Sequence, residues 1–190
     1  MSQATRSSQG PGPRRFEKSF TQQEPIAEAA IARAVEIMRS GRLHRYNVAA
    51  GELSEAALLE QHFAAFQGSR YCLACTSGGY AIHVALRSAG LKPGDKVLAN
   101  AYTLAPVPGA IHNAGGVPVF VEIDRDYHID LADLDAKAEA SGARFLLLSH
   151  MRGHMADMRA ITALCQKHGI TLIEDCAHTM GARFDGVRSG

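Results

Sequence analysis

From Tyr71 onward the chain alternates short apolar runs with helical patterns, and this alternation restricts the fold more than any other feature. The runs are YCLAC, KVLANA, VPVFVEI, RFLLLSH and TLIED, and between them apolar residues recur at helical spacing near 79–89, 104–114, 132–140 and 157–168. Strands that are apolar on both sides must be covered on both faces, and strands separated by helices run parallel. The expected fold is therefore α/β, a mostly parallel sheet with helices on both faces. In such sheets ligands bind at the carboxyl ends of the strands.

No strand is expected before Tyr71. Residues 1–20 are rich in Ser, Gln, Gly, Pro and Arg without periodicity, the composition of a flexible tail. From Pro25 the residues Ile26, Ala30, Ile31, Ala34, Val35 and Met38 have helical spacing as far as Gly41. A second helix, with Ser54 as its N-cap, carries Leu58, Leu59, Phe63 and Phe66 as far as Gly68. The expected organisation is a tail over 1–24, a helical segment over 25–66 and an α/β core over 67–190 that is incomplete at its C-terminus.

Charge narrows the partners. Lys and Arg number 20 against 19 Asp and Glu, a net of +1, which favours neither nucleic acid nor an anionic membrane surface. No apolar run reaches the roughly 18 residues of a membrane span, and the polar N-terminus lacks a signal-peptide core. The expected location is cytoplasmic. Cys72 and Cys75 form a CxxC spacing, but in a strand they point to opposite faces, so packing is expected rather than redox or metal chemistry. His150 and His154 lie four apart near Asp157, yet Gly153 interrupts any helix between them. No metal is expected.

The segments that follow the strands, TSGGYA, YTLAP, SHMRGH and DCAHTMG, gather polar and small residues on one edge of the sheet, whereas LKPGD and KHGI precede strands and lie opposite. Ser77, Gly78 and Gly79 stand between a strand and a helix N-terminus, where free N–H groups and the helix dipole suit a phosphate. A plain tight turn explains the glycine pair equally well. The pattern is not GxGxxG, which disfavours a dinucleotide. At the other end, TLIED brings Asp175 to the mouth of an apolar strand, and a buried carboxylate needs a cationic partner. Strand alternation turns Glu174 away, and Cys176 reads as a packing residue. A phosphate at one end and a cationic ring nitrogen at the other describe pyridoxal 5'-phosphate, PLP, whose ring an Asp keeps protonated.

Four blocks, CTSGGYAIHVALRSAGLKPGDKV, AYTLAPVPGAIHNAGGVPVFVEID, HMRGHMADM and IEDCAHTMGARFDG, resemble successive blocks of the DegT/DnrJ/EryC1/StrS aminotransferases, the sugar aminotransferases of PLP fold type I. The resemblance covers about residues 35–190. It implies the N-terminal part of the large domain of that fold, with Ser77, Gly78 and Gly79 cradling the phosphate. Asp175 and His178 are the implied catalytic residues, Asp175 on the pyridine nitrogen and His178 beside the ring near its phenolic oxygen. Asp157 is implied to be architectural. Gly79 stands where the family usually has Thr or Ser, Leu104 where an aromatic ring stacks on the cofactor, and Arg152 where Tyr is common.

The implied reaction moves an amino group from an amino acid such as glutamate to a nucleotide-linked keto sugar, in a protein that is a homodimer when complete. Such an enzyme needs a lysine that bonds to the cofactor. The lysines are Lys18, Lys92, Lys96, Lys137 and Lys167, and sheet topology puts none of them at the ligand edge. The family's lysine lies beyond the GxxxGA block, so the expectation is that this chain alone lacks it and is inactive. Two other classes stay open: a catalytically silent homologue that binds PLP or a phosphorylated ligand, or serves as a partner subunit; and an unrelated nucleotide-binding domain.

Overall fold

The computed structural model describes Glu17, Ser19 and residues 23–190. The tail expected over 1–24 falls almost wholly outside the described residues. Two compact units are present, one ending at Glu52 and the other spanning Leu53–Gly190. The first holds α1, Glu28–Ser40, which ends at Gly41; the left-handed φ of 69° there returns its N–H to the Met38 carbonyl.

The second unit begins with α2, Glu55–Gln67, opened by the Ser54 side chain, which accepts from the Ala57 N–H. Then come α3 (Gly78–Ser88), β1 (Lys96–Asn100), α4 (Pro106–Asn113), β2 (Val117–Val121), α5 (Leu131–Ser141), β3 (Phe145–Ser149), α6 (Met158–His168) and β4 (Thr171–Asp175). A two-stranded hairpin, β5 (Arg183–Phe184) and β6 (Val187–Arg188), follows. β1 to β4 form one sheet in the order β2-β1-β3-β4, with every pair parallel. The connections from β1 and from β3 leave in opposite directions, which opens a crevice between the carboxyl ends of those two strands.

Side-chain alternation sorts the core into two layers. Val97, Ala99, Phe145 and Leu147 pack with Leu86, Val107 and Ile111 of α3 and α4 on one face. Leu98, Val121, Leu146 and Leu148 pack with Leu134, Ala138, Ile161 and Cys165 of α5 and α6 on the other. The same period of two fixes the strand ends. Ile173 joins the α3/α4 layer and Leu172 the α5/α6 layer, so Asp175 ends on the α3/α4 face and Glu174 on the opposite one.

The expected strand at YCLAC is not formed. A strand exists through its partners, and no described strand pairs with residues 71–75. Side chains bind its backbone instead: the Ala74 N–H donates to Glu60 Oε1 at 2.8 Å, and the Tyr71 carbonyl accepts from the Ser69 hydroxyl at 3.0 Å. The alternation invoked for Cys72 and Cys75 is therefore absent. Both are free, half-buried thiols. Burial first, then Glu60 and Cys75, pushes the Cys72 thiol up, which keeps it protonated and a poor ligand. No helix among the described residues is long and apolar enough to cross a membrane.

Leu147 is fully buried at the centre of β3, between Ala99 and Ile173. Leu147→Ala should cost about 2–5 kcal/mol in denaturant unfolding. Asp157, which caps α6 by accepting from the Arg159 and Ala160 N–H groups, should cost only about 1 kcal/mol as Asp157→Ala. Equal losses for the two variants would contradict this placing of the core.

Candidate functional site

The ladder between β1 and β3 stops at Ala99 and Leu147, and one side chain continues it. Asn100, 2% exposed, accepts from the Ser149 N–H at 2.9 Å and donates to the Ser149 carbonyl at 3.2 Å and the Tyr102 carbonyl at 2.7 Å. This holds Ser149 with its hydroxyl 3.1 Å from Asp175 Oδ2 and 2.8 Å from Thr103 Oγ1. A carboxylate only accepts, so the single Ser149 proton goes to Asp175 and Thr103 donates to Ser149. The second Asp175 oxygen accepts from the Ala177 N–H at 3.3 Å, and the Asp175 carbonyl accepts from the His150 N–H at 3.2 Å. Asp175 is thus fixed at both its backbone and its carboxylate, at the carboxyl end of the sheet.

His178 follows on the exposed turn after β4. Its Nδ1 accepts from the Arg152 N–H at 3.1 Å, so the neutral ring carries its proton on Nε2. Leu104, 50% exposed, opens the turn into α4, its carbonyl accepting from the Val107 N–H. Tyr102, the other aromatic candidate of that segment, packs its ring against Tyr127 at 5.3 Å.

Helix N-termini on this edge divide by face. α5 and α6 are closed by Asp130 and Asp157, each accepting two backbone N–H groups. On the Asp175 face, α3 and α4 have no acid in the first turn; α3 is capped by the neutral Ser77 and α4 has no side-chain cap. Positive helix ends are therefore neutralised on one face and left open on the other. Gly78 and Gly79 lie in the first turn of α3, where N–H groups lack intrahelical partners. Neither has a positive φ. A Cβ at Gly78 would meet nothing within 4 Å, and one at Gly79 only the Pro106 Cβ at 3.8 Å, an ordinary contact. Protein packing gives no reason for the pair, whereas close approach of a ligand does. A cleft of about 490 Å³ opens beside them, lined by Ser77, Gly79, Tyr80, His83, Pro106 and Asn113 among others. Leu104, Asp175 and His178 are outside its lining.

Sequence reasoning missed Asn100, Thr103 and Ser149. The available signal was position: Asn100 and Ser149 are the polar last residues of apolar strands. It also missed a pair on the opposite face, where His150 Nε2 meets Glu174 Oε2 at 2.8 Å. His150, Glu174 and Cys176 bring potential ligand atoms within 4.8 Å of one another. The direct His150–Glu174 contact accounts for that geometry. Burial first, with Glu174 and Asp175 adding to it against opposing hydrogen bonds to Ser189 and Thr179, pushes the Cys176 thiol up.

The DegT/DnrJ/EryC1/StrS aminotransferase family matches residues 24–190. Over 129 residues the chain is 40% identical to a pleiotropic regulatory protein of Geobacillus stearothermophilus, covering 67% of this chain and 34% of that one. Over 136 residues it is 35% identical to the UDP-2-acetamido-2-deoxy-3-oxo-D-glucuronate aminotransferase of Pseudomonas aeruginosa, covering 71% and 38%. Among solved structures, 3-amino-5-hydroxybenzoic acid synthase aligns at a TM-score of 0.80 with 30% identity, over 90% of this chain and 43% of that one. DesV of S. venezuelae aligns at 0.70 with 31% identity, over 85% and 41%. The chain thus spans well under half the length of these relatives.

If Gly79 serves a ligand rather than the fold, Gly79→Ala should leave the unfolding midpoint unchanged or raise stability by up to about 1 kcal/mol, since alanine is the better helix former. A loss of similar size would show that the protein's own packing requires the glycine.

Proposed function

The chain belongs to the DegT/DnrJ/EryC1/StrS aminotransferase family, and we propose that its second unit binds PLP within an enzyme that moves an amino group from an amino acid to a nucleotide-linked keto sugar. Glutamate as donor, a cytoplasmic location and a homodimeric assembly belong to the same proposal. One observation carries it: the strand-end carboxylate of Asp175, fixed by Ser149, shares a sheet face with the N-terminus of α3, which combines a neutral cap with two glycines.

The residues present fit the cofactor. The Gly78 and Gly79 N–H groups and the Ser77 hydroxyl would hold the phosphate, with open space in place of side chains. Asp175 would accept a hydrogen bond from the protonated pyridine nitrogen and so keep it protonated, and the Ser149 hydroxyl keeps its carboxylate oriented for that task. Leu104 would supply an apolar wall against the ring. His178, its Nδ1 occupied by the Arg152 N–H, would offer Nε2–H to the phenolic oxygen. When bound, PLP supplies an electron-withdrawing ring that stabilises negative charge at the carbon giving up its proton.

Four lysines lie among the described residues, and each is away from this edge. Lys92 precedes β1, Lys96 donates to the Ser141 carbonyl, Lys137 pairs with Asp133 and Lys167 with Asp135. Those positions equally favour a second reading, a homologue that binds PLP without performing the transfer. In both readings these residues bind the cofactor without covalent attachment.

Titrating PLP into the chain, followed by borohydride reduction and mass spectrometry, tests the binding. One equivalent should bind reversibly, about tenfold more weakly in Asp175→Asn, where a charge-assisted contact is lost. Wild-type affinity in Asp175→Asn would remove Asp175 from the site. A stoichiometric pyridoxyl adduct on one of the four lysines would overturn the non-covalent mode.

A further inference from the structure

Arg152 is one of three described non-glycine residues with left-handed backbone, at φ 57° and ψ 18°. Such a conformation costs a residue with a Cβ on the order of 1 kcal/mol or more, and glycine or asparagine would adopt it more cheaply. The turn that imposes it is pinned to the segment after β4 at successive points. The His150 N–H donates to the Asp175 carbonyl, Met151 is buried, the Arg152 N–H donates to His178 Nδ1, and a Cβ at Gly153 would sit 3.5 Å from the His178 carbonyl oxygen. These contacts hold the backbone of an exposed arginine against His178 in spite of its strain.

Its guanidinium has no ion pair or side-chain hydrogen bond among the described residues. By contrast Arg144 pairs with Asp95, Arg159 with Asp185, and Arg188 lies over the Phe66 ring. The two acids that end β4 are committed elsewhere, Asp175 to Ser149 and Ala177 and Glu174 to His150 on the opposite face, and Asp157 caps α6. A planar, permanently charged fork of donors, borne on the turn that meets His178 at the carboxyl end of the sheet, matches a carboxylate in two-point contact.

We propose that Arg152 binds a carboxylate of the substrate, on the sugar ring of the acceptor or on the amino donor, and so selects acidic substrates. This rests on the function proposed above. No group transfer is involved, only recognition.

The test compares binding of UDP-glucuronate, UDP-glucose and glutamate to the full chain and to Arg152→Gln and Arg152→Lys, by calorimetry. UDP-glucose carries the same diphosphate, so the difference between the two nucleotides isolates the ring carboxylate. The wild type should favour UDP-glucuronate by at least about tenfold. Arg152→Gln should abolish that preference without weakening UDP-glucose, and Arg152→Lys should retain part of it. If Arg152→Gln instead weakens glutamate and the wild type shows no nucleotide preference, the same contact belongs to the donor. No carboxylate preference in the wild type together with unchanged glutamate binding in Arg152→Gln, or no binding of any of the three, would overturn the proposal. PLP binding, measured on the same samples, reports on the cofactor site independently: its absence would sink the proposed function, whereas its presence without carboxylate preference would sink only the role of Arg152.

Discussion

Where two parallel strands diverge, their last backbone groups lose their partners, and at the β1/β3 crevice the amide of Asn100 takes up both those of Ser149. Unmade, each buried bond would cost about 1–3 kcal/mol. The site follows from this clamp. It fixes the backbone of Ser149, that fixes the hydroxyl, and the hydroxyl fixes the Asp175 carboxylate. Thr103 completes the chain of donors from the segment after β1. A carboxylate held this way does not collapse onto a neighbouring cation, and it keeps one direction for a partner.

The two faces of the sheet carry opposite electrostatic treatments at the same edge. Aspartate caps close α5 and α6, while α3 presents a serine cap and two glycines. The His150–Glu174 pair belongs to the face with the aspartate caps, and the Ser149–Asp175 pair to the open one. An anion therefore meets open helix N-termini, those of α3 and α4, on one face only, and Asp175 is a fixed acceptor for a cation at the strand end of that same face. A ligand with charges of both signs separated by a flat ring satisfies that arrangement without further charges from the protein.

Much of this was legible in the sequence. Among the described residues, strands β1–β4 and helices α1–α6 lie within about two residues of the apolar runs and helical spacings, because burial on two faces leaves a period that few other residues can imitate. The parity that separates Asp175 from Glu174 was legible for the same reason. Residues 71–75 were misread because an apolar, β-prone stretch becomes a strand only when it has a partner, and pairing is not a local property. Asn100, Thr103 and Ser149 were not foreseen, since their importance depends on which strands lie side by side, and the order β2-β1-β3-β4 is not written in any one segment. The His150–Glu174 contact and the β5–β6 hairpin were hidden in the same way.

Amide resonances of the isotopically labelled chain offer the most direct view of whether α3 and Asp175 serve one ligand. Addition of PLP should shift Gly78 and Gly79 together with Ser149 and Ala177, along a single saturation curve, while pyridoxal without its phosphate should leave Gly78 and Gly79 unmoved. Resonances at Gly78 and Gly79 that stay in place at saturating PLP, or two groups of shifts with different saturation curves, would show that the helix end and the carboxylate do not hold the same molecule.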